Sequence, residues 1–96
     1  MKAARLIHDK RVLPDGAVVE VVIWRVPRPV PPSAHGYKYR LAYVVGGVRV
    51  VGFDNERGKG EYMHVQGHQR PYQFTTLAAL LDDFEAEVVA VRGGPI

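Results

Sequence analysis

The sequence predicts an α+β fold: an antiparallel sheet of four to six strands with one C-terminal amphipathic helix packed on a face. Short segments rich in β-branched and aromatic residues, separated by Gly, Pro, Asp and Asn, fill most of the chain. One segment near the C-terminus instead carries apolar residues at helical spacing. The chain's length of 96 residues, with a hydrophobic fraction of 47%, makes one domain, residues 1–96, with one modest core. There is no internal repeat and no low-complexity tract.

Residues 3–13 read as a first strand. Charged and apolar positions are mixed on both of its faces, which suits a sheet edge where charge discourages unwanted pairing. Pro14-Asp15-Gly16 is a turn: Pro sets φ, Asp hydrogen-bonds its own backbone, and Gly takes positive φ. Residues 17–26 are β-branched on both faces, with Val19, Val21 and Ile23 on one and Val18, Val22 and Trp24 on the other. That pattern predicts a central strand. Pro27 ends it.

Residues 27–36 hold Pro27, Pro29, Pro31 and Pro32, then Ser33 and His35. They predict an extended, polyproline-like connection. A docking segment for an aromatic groove has this composition. A stiff crossover arm between strands has it too, and is the reading we favour. Residues 37–45 form the next strand, with Tyr37, Tyr39, Leu41, Tyr43 and Val45 on one face and Lys38, Arg40, Ala42 and Val44 on the other. Tyrosines flanking bases also occur on nucleic-acid-binding sheets. The general burial of large aromatics favours a core role for these.

Gly46-Gly47 is a two-residue hairpin turn. Residues 48–53 return as a strand, in which Gly52 predicts a bulge or a close backbone approach. Residues 61–65 predict a short strand, Gln66 to Pro71 a second turn, and Tyr72-Gln73-Phe74 an extended piece leading to Thr75-Thr76 as helix N-cap candidates. In the helix, residues 76–91, Leu77, Leu80, Leu81, Phe84, Val88 and Val91 make one stripe. Asp82, Asp83, Glu85 and Glu87 lie mainly off it and read as a solvated face rather than a metal site. Gly93-Gly94-Pro95 stops the helix.

The chain has no cysteine, so disulfide and thiolate chemistry are excluded. The N-terminus from Met1 to Asp9 meets charges too early for a signal peptide, and no segment approaches the ~20 apolar residues of a membrane span. The expected location is the cytoplasm. The net charge of +3 is unevenly spread: residues 1–74 carry twelve Lys and Arg against six Asp and Glu, while residues 75–96 carry Arg92 against four acids. A basic sheet region suggests an anionic partner such as nucleic acid. The net charge alone fits an ordinary soluble domain equally well.

The stretch from Phe53 to Val65 is unlike a folded core. It packs two acids beyond Asp54, two bases, two glycines, an Asn, a Tyr and a His between strand-like segments. Gly58-Lys59-Gly60, with Arg57, offers backbone N–H groups and charge to a phosphate, although it lacks the spacing of a Walker A loop. Asp54 and Asn55 suit side-chain-to-backbone bonds that hold the loop. On a strand, Tyr62 and His64 share a face and Glu61 lies opposite. Tyr62 and His64, with Lys59 and Arg57 arriving from the loop, supply what metal-free RNA cleavage needs: a base, an acid, and cations for the phosphorane. A single histidine is more often an exposed or core-satisfied residue. His64-x₃-His68 with Asp54 and Glu61 is the one conceivable metal set, and it lacks a clear tetrahedral complement.

At this stretch the chain resembles the TumE-type toxins of bacterial toxin–antitoxin pairs. The resemblance spans the first strand to the helix. It is carried by Pro14-Asp15-Gly16, Val22 to Pro27, Pro31-Pro32-Ser33, Tyr39-Arg40-Leu41, the run Asp54 to Gly60 with His64 downstream, and Pro71 to Phe74. It implies a helix-turn-helix antitoxin as partner and action on RNA. The family run continues with an acid, His, a basic residue and His. Here Glu61-Tyr62-Met63-His64 lacks one histidine and the basic residue.

The expectation is therefore a toxin that cleaves RNA without metal or other cofactor. His64 is the general acid or base, Glu61 an orienter or base, and Tyr62 an auxiliary proton donor or stacking surface. Arg57, Lys59, Lys38 and Arg40 contact substrate, and Asp54, Asn55, Gly58 and Gly60 shape the loop. The alternatives are a non-catalytic basic module that binds nucleic acid or a helix-turn-helix protein, and a homodimer through an edge strand.

Overall fold

The computed structural model describes residues 3–96; Met1 and Lys2, the first residues of the segment read for a signal peptide, lie outside them. Six antiparallel strands follow one another in a simple meander: β1 (Ala4–Val12), β2 (Val18–Arg25), β3 (Tyr37–Val45), β4 (Val48–Glu56), β5 (Gly60–Val65) and β6 (His68–Pro71). Among the described residues there is one helix, α1 (Leu77–Arg92), which packs on one face. The fold is α+β, as the sequence predicts.

The core lies between α1 and the middle of the sheet. Val19, Ile23, Tyr39, Leu41, Tyr43, Val51, Phe53 and Met63 face Leu80, Phe84 and Val88. Fully burying one such aliphatic or aromatic side chain stabilises by ~1.5–3 kcal/mol. Phe53 is the hub, with Tyr72 and Phe84 edge-on at centroid distances of 4.9 and 5.9 Å. Tyr39 and Tyr43 are core residues, as aromatic burial predicts.

Both ends of α1 are capped. Thr76 adopts an extended conformation and its hydroxyl accepts from the Ala79 N–H at 3.1 Å. Gly93, at φ 78°, donates to the Val89 carbonyl. Arg92 in the last turn bonds Asp15 at 2.8 Å and the Tyr43 hydroxyl at 3.1 Å, tying the helix to the β1–β2 turn. Of the helix acids, Asp83 accepts from the Tyr72 hydroxyl at 2.6 Å and Glu87 pairs with Arg70.

Four expectations need correction. The connection 27–36 joins neighbouring antiparallel strands, so it is a long hairpin arm and not a crossover, closed by Val26 N–H on the Gly36 carbonyl. β4 runs three residues beyond 53, and the polar loop contracts to Arg57-Gly58-Lys59. The turn expected over Gln66 to Pro71 is only Gln66-Gly67, both at positive φ; His68–Pro71 is the edge strand β6. At Gly52 the bulge alternative fails and the close-approach alternative holds, made by the Arg49 side chain rather than by backbone. The register shifts lie between Tyr43 and Val44 on the β3–β4 pair and between Arg5 and Ile7 on the β1–β2 pair.

Candidate functional site

Strand alternation divides the chemistry between the two faces of the sheet. Cross-strand partners point the same way. Tyr62 pairs with Asp54 and Asp54 with Arg40; His64 pairs with Gly52 and Gly52 with Ala42. These rows lie on the face away from α1. Lys38, Arg40, Arg49 and Lys59 surround a shallow cleft there of about 280 Å³. Asp54, Glu56, Tyr62, His64 and Gln69 complete its lining. The cleft is thus predominantly cationic, with a phenol and an imidazole on its β5 wall.

Each cation has a partner. Arg40 bonds Glu20 at 2.9 Å, Arg49 reaches Asp54 at 3.4 Å, Lys59 lies 4.0 Å from Glu56, and Lys38 donates to the Asn55 carbonyl. Among the described residues no side chain hydrogen-bonds the His64 ring, which leaves both of its nitrogens available to a ligand.

The run Asp54 to Gly60 is largely architectural. Asn55 is fully buried. Its Oδ1 accepts from the Tyr39 N–H, while its Nδ2 donates to the Tyr37 carbonyl and the Ser33 hydroxyl. Gly58 takes φ 81° and its N–H donates to the Pro31 carbonyl at 2.8 Å. Gly60 takes φ 90°, and a Cβ there would stand 3.2 Å from Pro32 Cγ. The Lys59 N–H donates to the Glu56 carbonyl. The N–H groups of Gly58 and Lys59 are therefore spent inside the protein and are not free to cradle a phosphate. Asp54 bonds no backbone group among the described residues; it holds Arg49.

Glu61 is on the far face from His64, as its place on β5 requires. There it accepts from the Tyr39 hydroxyl at 3.1 Å and from His35 Nε2. His35 Nδ1 in turn accepts from the Tyr37 N–H, which assigns the proton to Nε2. The His35 ring stacks on Phe74 at 3.9 Å. Burial, then the Glu61 carboxylate, pushes the Tyr39 phenol well above the ordinary tyrosine value. Burial and the Asp83 hydrogen bond do the same to Tyr72. Both ring nitrogens of His35 are occupied, so this network holds the arm and has no open valence for a substrate.

Of the residues expected at the site, the structure brings Lys38, Arg40, Lys59, Tyr62 and His64 to one cleft. Glu61 is separated by the sheet, and Arg57 is exposed on the turn and does not line the cleft. His68 shares the face of its cross-strand partner Val65, opposite His64, so the His64–His68 pair cannot close on one ion. Among the described residues no group of three or more His, Cys, Asp or Glu side chains is placed to hold a metal ion. Arg49 and Gln69 in the cleft, and His35 behind it, were not expected.

A model of the family described as Toxin TumE matches residues 3–92, nearly the whole chain. No curated protein matches, and no solved structure does.

Proposed function

We propose, because the chain belongs to the TumE toxin family, that it is the toxin of a toxin–antitoxin pair and acts on RNA by metal-independent phosphodiester cleavage. One observation supports this above the rest: Tyr62 and His64 stand side by side on the wall of a cleft furnished with Lys38, Arg40 and Lys59. In the proposed step the neutral His64 ring takes the 2′-hydroxyl proton, and the 2′-oxygen attacks phosphorus. The bond to the 5′-oxygen breaks, and that oxygen takes a proton from the Tyr62 hydroxyl. The imidazolium gives its proton to solvent and Tyr62 recovers one from it, so protons balance. Products are a 2′,3′-cyclic phosphate and a free 5′-hydroxyl. The cations stabilise the charge that builds on the phosphorane. Glu61 contributes from behind the sheet by fixing the arm. Arg57, on the exposed turn, contributes long-range attraction for the RNA backbone.

A helix-turn-helix antitoxin is the proposed partner. Induced expression with and without the neighbouring antitoxin gene, for the wild type and His64→Ala, tests the reading. Growth arrest relieved by the antitoxin and abolished by His64→Ala is expected; arrest unchanged by His64→Ala contradicts the role of His64.

Two observations favour a second reading, binding of RNA without cleavage: no described side chain orients the His64 ring, and Tyr62-Met63 stands where the family run carries a histidine and a base. That reading predicts steeply salt-dependent RNA binding and no product.

A further inference from the structure

We infer that Arg49 is the phosphodiester-holding cation of the cleft, seated by Gly52 and tethered by Asp54 until an anion takes the tether's place. The inference deepens the proposal above and rests on it for the ligand's identity.

Strict alternation along β4 would put Arg49 on the helix side with Val51 and Phe53. The register shift changes that. Tyr43 pairs with Val51 but Val44 pairs with Arg49, so Val50 is the extra residue and Arg49 crosses to the cleft side with Lys38 and Arg40. Bulges of this kind re-aim side chains beside functional sites. Once across, the side chain lies over Gly52. A Cβ at Gly52 would stand 2.8 Å from Arg49 Nε and 2.9 Å from its Cδ, inside any tolerable contact. Only glycine leaves that seat open. Gly52 is the cross-strand partner of His64, so the seat places the guanidinium beside the imidazole.

The tether is weak. A single Nη of Arg49 reaches Asp54 Oδ2 at 3.4 Å, well beyond the ~2.7–2.9 Å of a strong charge-assisted bond. The guanidinium carries five N–H donors. Among the described residues the others meet no acceptor, and the side chain is 31% exposed. Lys38 and Arg40 differ. Lys38 is turned to the Asn55 carbonyl and Arg40 bonds Glu20 at 2.9 Å. Arg49 is therefore the cleft cation with a fixed position, a loose partner and a fork open to two phosphate oxygens.

The test is titration of the wild type, Arg49→Ala, Arg49→Lys, Gly52→Ala, Asp54→Asn and the Gly52→Ala/Arg49→Ala double variant. The probes are a 2′-O-methyl RNA oligonucleotide, which cannot be cleaved by its own 2′-oxygen, and inorganic phosphate. Thermal melts confirm folding. The wild type is expected to bind the oligonucleotide. Arg49→Ala and Gly52→Ala should each weaken that binding roughly ten-fold, and Arg49→Lys nearly as much. In Arg49→Ala the salt slope falls by about one. Asp54→Asn, which removes a competing carboxylate, should tighten it. The double variant should bind like Arg49→Ala alone, because Gly52 acts only through Arg49. If Gly52→Ala fails to fold, Arg49→Lys and Asp54→Asn still decide. Wild-type affinity in Arg49→Ala, an additive double variant, or binding of phosphate without the oligonucleotide overturns the inference. The readout is binding, so a protein that holds the oligonucleotide through Arg49 yet cleaves no RNA upholds this inference while the cleavage reading fails.

Discussion

The side chain of Asn55 does the work of a strand for Tyr39: its Oδ1 accepts the Tyr39 N–H at 2.9 Å where the regular β3–β4 pairing has ended at Arg40 and Asp54. Its Nδ2 satisfies the Tyr37 carbonyl at 2.8 Å and the Ser33 hydroxyl at 3.3 Å. One buried amide thus joins β3, β4 and the proline-rich arm.

Asn55→Ala leaves the Tyr39 N–H and the Tyr37 carbonyl unpaired. With ~1–3 kcal/mol lost per unsatisfied buried group, stability should fall by about 2–6 kcal/mol. Denaturant unfolding gives the total, and amide exchange at Tyr39 should quicken more than at Leu41. Unchanged stability would show that water or a shifted arm replaces the amide.

The two loop glycines should differ. Gly58 and Gly60 both take positive φ, but a Cβ at Gly58 meets open space and one at Gly60 meets Pro32. Gly58→Ala is expected to cost ~1 kcal/mol for backbone conformation. Gly60→Ala should cost clearly more. Equal unfolding midpoints would mean that the arm yields freely.

Glu61→Gln and His35→Ala break the network behind the sheet. Each should lower the unfolding midpoint, by ~1–3 kcal/mol in free energy, while RNA affinity stays near that of the wild type. Loss of RNA cleavage by Glu61→Gln with the melt unchanged would instead give Glu61 a part in the chemistry.

Asp15 sets an acid limb to stability. The Ala17 N–H, and then Arg92, hold its carboxyl below the ordinary aspartate value. Between the two values the unfolded chain binds the proton more readily, so stability rises with pH there. The contribution is complete above the ordinary value near pH 4 and is lost as pH falls through the lowered one. Asp15→Asn should flatten that limb; an identical acid profile for the variant would place the dependence elsewhere.

Much of this fold is legible in the chain because alternation and the helical stripe report burial directly. Val19 and Ile23, Tyr39 to Tyr43, and Leu80 to Val88 fall where their spacing puts them. The polar parts are less legible. Asp54-Asn55-Glu56 has poor strand propensity, and β4 continues through it on its backbone pairing with β5, aided by Asn55's side-chain bonds to β3. β6, His-Gln-Arg-Pro, carries no apolar residue to mark a strand. Arg49 is hidden by a bulge that reverses its face, and no local pattern announces that shift. His35 and Glu61 meet across 26 positions, a distance that only tertiary structure closes. The pairing of Tyr62 with His64 is readable because it needs nothing beyond period-two alternation.

The most direct measurement is cleavage of a single-stranded RNA by the purified wild type and by His64→Ala, in chelator, with product ends identified. The account predicts 2′,3′-cyclic phosphate and 5′-hydroxyl ends from the wild type. It predicts a loss of roughly 10²–10⁴-fold in rate for His64→Ala, with affinity for 2′-O-methyl RNA retained. A wild type that binds RNA without cutting it, or a His64→Ala protein that cuts at the wild-type rate, would contradict it.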